Sequence, residues 1–164
     1  MKNFTLLFFV AIITVGCVKM YAISETDFAS IPKGSKRVTV TSPLSADSAY
    51  KHVSRYFVTN GWIVNGNKEM MQISIDPRSI GAGTMLRPVV FVEPNGTGSF
   101  VHYRGEWGLD QQGQIMLQSF ARGYNTTALQ PIVFEKKGTT KADAAFQALV
   151  VYAKRVPGEI TYSK

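Results

Sequence analysis

Beyond residue 36, the chain first alternates polar and apolar residues and then changes to helical spacing. Arg37 to Thr41 alternates in this way and is rich in β-branched residues, which is typical of a strand. After Ser42-Pro43, apolar residues recur at helical spacing at Ala46, Ala49, Tyr50, Val53 and Phe57. Ser45 stands where the N-cap of that helix belongs. The pattern therefore predicts a strand followed by an amphipathic helix.

The middle of the chain has the pattern of several strands joined by turns. Segments with strand character are residues 62–64, 70–75, 84–92, 98–107, 115–120 and 129–134. Asn65-Gly66-Asn67 is predicted to be the turn of a first hairpin, because Asn-Gly favours the backbone of tight hairpin turns. Residues 93–97 contain Pro94 and Gly96 and are predicted to join the strands of a second hairpin.

A second amphipathic helix is predicted to close the domain. Thr140 can cap it, and Pro157-Gly158 stops it. The order strand, helix, strands, helix predicts an α+β fold, in which an antiparallel sheet of five to seven strands carries two amphipathic helices on one face. We expect a single domain over residues 37–158 and a short C-terminal tail over residues 159–164.

The N-terminus has a different composition from the rest of the chain. Lys2 precedes an uncharged apolar stretch that ends at Gly16-Cys17. The stretch is shorter than the roughly 20 residues that a membrane-spanning helix needs. A basic start, an apolar stretch and a small residue at its end are the features of a secretion signal. Residues 1–16 are therefore predicted to be a signal peptide, with cleavage between Gly16 and Cys17.

Thr14-Val15-Gly16-Cys17 resembles the lipid-attachment motif of bacterial lipoproteins, although Thr14 stands where the family has a leucine-like residue. The resemblance implies that the Cys17 thiol receives a diacylglycerol and that the new amino group receives a fatty acid such as palmitate. It also implies export and anchoring in the cell envelope. Val18 follows the cysteine, which under the enterobacterial sorting rule favours the periplasmic face of the outer membrane over the inner membrane.

The remaining N-terminal residues are predicted to link the lipid to the domain. Residues 17–36 are polar, contain Pro32 and Gly34 and have no sustained period, so we expect a lipidated cysteine followed by a flexible tether. In the order of its elements the domain resembles helix-grip and TATA-binding-protein-like domains, which also occur in envelope lipoproteins.

Charge and cysteine content narrow the classes of partner. The formal net charge is +7, but the basic residues are scattered, and the densest group is Lys33, Lys36 and Arg37. Together with the export signal, this favours attraction to a membrane or cell-wall surface and argues against nucleic acid. Cys17 is the only cysteine, so the fold forms no internal disulfide.

Candidate chemistry concentrates on one predicted strand. His102 alternates with Phe100, Arg104 and Glu106, and Trp107 lies between glycines. We take His102, Arg104, Glu106 and Trp107 as a candidate binding face. The alternatives are a surface strand of mixed charge and a core tryptophan. The other histidine, His52, belongs to the predicted first helix. Two separated histidines do not make a ligand cluster, so no metal and no other cofactor is predicted.

Three functions are compatible with this sequence. The first is a non-enzymatic, lipid-anchored envelope protein that binds a protein partner or assists an assembly. The second is a small-ligand or glycan-binding module with a pocket between helices and sheet. The third is a cell-wall hydrolase, for which Glu106, His102 and Asp110 are the candidate catalytic residues. No catalytic motif supports the third function, and the first is preferred.

Overall fold

The structure is a computed structural model that describes residues 23–120 and 128–164. These residues form four helices and eight strands, all of the strands in one sheet. In chain order they are α1 Glu25–Ser30, β1 Arg37–Ser42, α2 Ala46–Thr59, β2 Val64–Asn67, β3 Gln72–Ile75, β4 Arg78–Gly81, β5 Thr84–Asn95, β6 Gly98–Leu109, α3 Gln111–Phe120, β7 Gln130–Pro131, α4 Lys141–Ala153 and β8 Glu159–Ser163.

The sheet is antiparallel and is built around the long hairpin of β5 and β6. The strand order is β2-β3-β5-β6-β1-β8, and the short strands β4 and β7 add to β5 and β6 respectively. β5 and β6 pair without interruption from Thr84 opposite Leu109 to Asn95 opposite Gly98. Gly96 turns the chain between them with a φ of 58°, which glycine adopts without strain. The predicted α+β fold with an antiparallel sheet is confirmed.

Alternate residues of the strands are buried against the helices. Val38, Val90, Val101 and Tyr103 belong to one hydrophobic cluster with residues of α2 and α4. The ring centroids of Phe57 on α2 and Tyr152 on α4 lie 5.2 Å apart within this cluster. Burial raises the pKa of Tyr103 far above its usual range, so its hydroxyl stays neutral. The caps predicted at Ser45 and Thr140 both accept a hydrogen bond from a first-turn backbone N–H.

The strand count and one element differ from the prediction. The described sheet has eight strands rather than five to seven. Residues 115–120, predicted as a strand, belong to helix α3. Asp110 explains the change, because its carboxylate accepts a hydrogen bond from Gly113 N at 2.9 Å and so caps the helix. Of the strand predicted over residues 129–134, only Gln130–Pro131 pairs, and it pairs with β6.

The first hairpin turns later than predicted. Asn65-Gly66-Asn67 is paired with β3 as part of β2, and the turn lies between Lys68 and Met71, whose φ is 49°. The Tyr50 hydroxyl lies where a Cβ at Gly66 would be, so α2 packs close to β2 at this residue. The Asn-Gly pair is therefore part of a strand and does not form the turn.

The tether predicted over residues 17–36 is too long, because its second half is folded. Ile31 is fully buried, and Phe28 of α1 packs edge-on against Phe134 with centroids 5.1 Å apart. The Lys154 ammonium and the Ser24 hydroxyl bind the Asp27 carboxylate and lower its pKa. Apolar burial and an ion pair to the end of α4 thus hold α1 in place, so the domain begins at about residue 24.

The C-terminal tail predicted over residues 159–164 is also part of the fold. Glu159–Ser163 forms β8, which pairs with β1 from Thr41 opposite Glu159 to Arg37 opposite Ser163. Gly158 leads into this strand at φ 148° and passes so close to the Thr41 carbonyl that a Cβ would collide with it. Gly158, which was predicted to help end the last helix, therefore also permits the turn into β8.

Replacing Ile31 tests whether the segment before β1 belongs to the domain. Ile31→Ala should lower the free energy of unfolding by about 2–4 kcal/mol, because it leaves a cavity at a fully buried side chain. The matched control is Ile63→Ala, whose side chain is 66% exposed and whose loss should change stability by less than about 0.5 kcal/mol. Urea unfolding measures both free energies. An equally small change in the two variants would contradict the inclusion of Ile31 in the domain and would favour the flexible tether first predicted.

Candidate binding site

The face of the sheet that does not join the hydrophobic cluster carries most of the chain's candidate chemistry. Side chains on this open face come from alternate positions of β1, β5 and β6: Arg37, Thr39, Thr41, Arg87, Val89, Phe91, Glu93, Phe100, His102, Arg104 and Glu106. They are half-buried or exposed, whereas their neighbours along each strand are buried, Pro94, Gly105 and Trp107 excepted. Strand alternation therefore separates a packed face from an open one.

His102 lies at the centre of the open face and is held from two sides. Its Nδ1 lies 3.0 Å from the Thr39 hydroxyl on β1, and its Nε2 lies 3.4 Å from a Glu93 carboxylate oxygen on β5. Phe91 is directly opposite on β5. The histidine side chain is only 13% exposed, whereas that of Glu93 is 66% exposed. The His102 imidazole is thus the buried part of the site, and the Glu93 carboxylate is its solvent-exposed edge.

Two adjoining cavities open beside His102. The first, of about 230 Å³, is lined by Arg37, Phe91, Glu93, His102 and Arg104. The second, of about 310 Å³, is lined by Lys36, Arg37, Arg104, Gly105, Pro131, Ile132 and Lys164. Arg37 and Arg104 border both cavities. We call the two cavities together the basic groove, and we refer to Lys36, Arg37, Arg104 and Lys164 as its four cations.

The groove exists because two elements share one edge of β6. β1 covers β6 from Ser99 to Tyr103, and β7 covers it again at Glu106 and Trp107. Arg104 lies in the gap between them, and just beyond it the Gly105 carbonyl accepts a hydrogen bond from Ile132 N, the residue after β7. The register that places Val38 opposite Tyr103 brings Arg37, the residue before Val38, next to Arg104 across the strands. Two arginines therefore border the same cavities, although their positions are 67 apart in the sequence (104 − 37).

Backbone hydrogen bonds fix the walls of the groove. Lys36 N donates to Ser163 O at 2.8 Å, and Gly34 N donates to Phe134 O at 2.8 Å. The loop after Phe134 is held by Asp143 of α4, whose fully buried carboxylate accepts hydrogen bonds from the backbone N–H groups of four successive residues, 135–138. The segments that carry Lys36 and Lys164 are thus held by backbone hydrogen bonds to each other and to the residues around Phe134.

The arginines of the open face differ in whether their charge is balanced. Arg87 forms an ion pair with Glu106, directly opposite on β6. In residues 23–120 and 128–164, no carboxylate lies within 4.0 Å of the charged nitrogens of the four cations. Like charges held together without counter-charge raise the local potential and attract anions. On the open face, the cations without a carboxylate partner within 4.0 Å therefore border the groove, and the exposed Glu93 carboxylate lies at the far side of its first cavity.

Thr39, His102 and Glu93 follow the order of a nucleophile, a base and a carboxylate, but the surroundings differ from those of a hydrolase. Thr39 lies on a strand that is paired on both sides, with β6 and with β8, so the sheet uses the backbone N–H groups that an oxyanion hole would need. The arrangement positions the histidine and leaves its ring edge at the cavity. It is suited to binding rather than to acyl transfer.

The predicted hydrolytic residues do not come together. Glu106 and His102 are four residues apart on an extended strand, a separation of about 13 Å. Glu106 is bound to Arg87, and Asp110 caps α3 and accepts a hydrogen bond from the Ser79 hydroxyl at 2.5 Å. Each carboxylate therefore has a structural partner of its own.

The residues predicted for the binding face are divided between the two faces of the sheet. His102, Arg104 and Glu106 lie on the open face. Trp107 lies on the other face, because it alternates with these residues and so shares the side of Val101 and Tyr103, where it is partly buried against the hydrophobic cluster. The predicted cleavage and lipidation residues, Gly16 and Cys17, lie outside the described residues.

Sequence reasoning missed several residues of the site. Phe91, Glu93 and Thr39 join it through strand pairing, and Lys164 joins it through β8. Lys36 and Arg37 had been noted only as part of a basic cluster. Alternation within β5 assigns Phe91 and Glu93 to one face and could have signalled them, whereas the approach of Arg37 to Arg104 requires the register.

Two further searches concern the described residues only. No group of three or more His, Cys, Asp or Glu side chains there is placed to hold a metal ion. None of the helices in that part of the chain has the length and apolar character needed to cross a membrane.

Comparison with known proteins adds no relative: no family model matches the chain, and neither a curated protein nor a solved structure does. The resemblances to bacterial lipoproteins and to helix-grip or TATA-binding-protein-like domains therefore stay predictions.

Proposed function

We propose that this chain is a non-enzymatic, lipid-anchored cell-envelope protein that binds a protein partner through the open face of its sheet. The observation that carries the proposal is the contrast between the two faces. One is filled by the hydrophobic cluster, and the other presents two uncompensated guanidiniums beside adjoining cavities. The proposal takes α2 and α4 to cover the same face, which their common contacts with β5 and β6 support.

The composition of the open face favours a protein partner. Phe91 and Phe100 are half-buried next to His102, and Phe91 borders the same cavity as Arg37 and Arg104. Aromatic residues and arginine are enriched in protein–protein interfaces, where they contribute much of the binding energy. The four cations of the basic groove favour a partner with an acidic surface, because complementary charge accelerates encounter and selects against basic proteins.

A small-ligand or glycan-binding role is the second candidate, and the cavities favour it. Their volumes, about 230 and 310 Å³, together fall in the range of small-molecule sites. They lie on the open face and not between helices and sheet as first predicted. The side chains at that inner interface, including Phe57, Phe146 and Leu149, are fully buried.

The proposed anchor is Cys17, and the folded position of α1 limits how far the domain can move from it. Only residues 18–24 separate Cys17 from the first residue of α1. Seven residues span at most about 25 Å when fully extended. A protein anchored this closely reaches partners in the same membrane or at its surface. We propose the periplasmic face of the outer membrane as its location, on the basis of Val18.

The anchor is tested by replacing its acceptor thiol. Cys17→Ser should abolish the incorporation of labelled palmitate in a bacterial host, because no thiol remains to receive the diacylglycerol. Mass spectrometry of the membrane-extracted N-terminus should show a lipidated cysteine. An unmodified Cys17, or equal palmitate incorporation in the serine variant, would contradict the anchor. In an enterobacterial host, Val18→Asp should redirect the protein to the inner membrane.

The binding face is tested by site-specific photocrosslinking in intact envelopes. A crosslinker at Thr41, exposed on the open face, should give a discrete protein adduct, and one at Thr59, exposed on α2, should not. Adding Arg104→Glu should abolish the adduct by reversing a groove charge, while Arg87→Glu should reduce it less, because Arg87 is already neutralised by Glu106. The proposal would be contradicted if crosslinkers at Thr41 and Thr59 gave equal adduct yields, or if Arg104→Glu left the yield at Thr41 unchanged.

A further inference from the structure

We infer that the basic groove is a binding site for a phosphate ester, with the phosphoryl group between Arg37 and Arg104 and a polyol part extending over Phe91 toward Glu93. This inference concerns the same face as the proposed function and rests on that face being free to bind. It adds the chemical class of the ligand.

The count of charges favours phosphate over carboxylate. Two guanidiniums and two ammoniums border the groove, and no described carboxylate within 4.0 Å balances them. A carboxylate brings one negative charge, whereas a phosphate monoester at neutral pH brings nearly two and offers three acceptor oxygens. The planar guanidinium fork matches phosphate geometry with paired hydrogen bonds, which an ammonium cannot provide. Arg37 and Arg104 can therefore clasp one phosphoryl group from two strands.

The other end of the groove selects the organic part. Glu93 borders the first cavity with an exposed carboxylate, which repels a second anionic group there. That same carboxylate accepts hydrogen bonds, so hydroxyl groups of a ligand find an acceptor at this end. Phe91 offers the half-buried ring edge over which a short carbon chain can lie. An ester with one phosphoryl group and free hydroxyls fits this distribution.

Arg87 provides a control within the same sheet face. It lies two residues before Val89, which is opposite Arg104, and its charge is equal. Its guanidinium, however, is bound to Glu106 and does not border either cavity. Removal of Arg87 and of Arg104 changes the net charge of the protein identically, so only a specific site distinguishes the two variants.

The test uses the full chain carrying Cys17→Ser, titrated with inorganic phosphate and with glycerol 3-phosphate by calorimetry at low ionic strength. We expect saturable binding of both, tighter for glycerol 3-phosphate. Arg37→Gln and Arg104→Gln should each weaken binding about 10- to 100-fold, the range for a charge-assisted hydrogen bond, and Arg87→Gln should change it less than about twofold. Glu93→Gln should remove the preference for glycerol 3-phosphate.

Co-flotation with vesicles that contain phosphatidic acid, a lipid whose headgroup is also a phosphate monoester, distinguishes a lipid headgroup from a soluble ester. Flotation that glycerol 3-phosphate reverses and Arg104→Gln abolishes assigns the lipid as a source, and binding of the soluble ester without flotation assigns a free ester. No binding of either probe, or equal losses in Arg87→Gln and Arg104→Gln, would overturn the inference. In that case an Arg104-dependent Thr41 adduct would still uphold the protein-binding proposal, because the two readouts are independent.

Discussion

The unbroken pairing of β5 with β6 is the constraint on which the rest of the structure depends. Twelve consecutive residue pairs fix which side chains face which way. Four strands pair with this hairpin directly, β3 and β4 with β5 and β1 and β7 with β6, and β2 and β8 are added through β3 and β1. A shift of one residue would exchange the two faces, sending Tyr103 to solvent and Arg104 into the core. The burial of Val90, Val101 and Tyr103 opposes such a shift and thereby also fixes the open face.

The same constraint creates the candidate site. β1 and β7 occupy different stretches of one edge of β6 and leave Arg104 between them. Burial on the inner face holds β1 in register, and the register places Arg37 beside Arg104. The hydrophobic cluster on the other side of the sheet stabilises this pairing, although both residues are cationic. Packing on one face thus positions uncompensated charge on the other, where it is available to a ligand.

Local signals predicted the elements that depend on neighbouring residues. The N-cap residues Ser45 and Thr140 predicted the starts of their helices. Apolar–polar alternation on both sides of Gly96 predicted the central hairpin, because caps and turns depend on only a few neighbouring residues. The sequence did not reveal α1 or β8, whose stability comes from distant contacts such as Phe28 with Phe134 and Thr161 with Thr39. For α3 the helix cap at Asp110 was overlooked in favour of its apolar residues.

The candidate site was only partly predictable for the same reason. Alternation on β6 identified His102, Arg104 and Glu106 as sharing a face. The same alternation places the odd-numbered Trp107 on the opposite face of the sheet. Trp107 had been included in the candidate binding face because glycines flank it. The meeting of Arg37 with Arg104 depends on the pairing of Val38 with Tyr103, which no local pattern encodes. Cys17 is the single cysteine of the sequence and lies before the described residues, so the described residues contain no native thiol.

That absence of native thiols makes cysteine accessibility the most direct measurement of the central claim, that one face of the sheet is packed and the other open. In a Cys17→Ser background, Thr41→Cys and Val40→Cys place thiols on adjacent residues of β1 that face opposite ways. The account predicts that a maleimide labels the Thr41 position of the folded protein rapidly and labels the fully buried Val40 position only after denaturation. Rapid labelling at Val40, or protection of both positions in the purified protein, would contradict it.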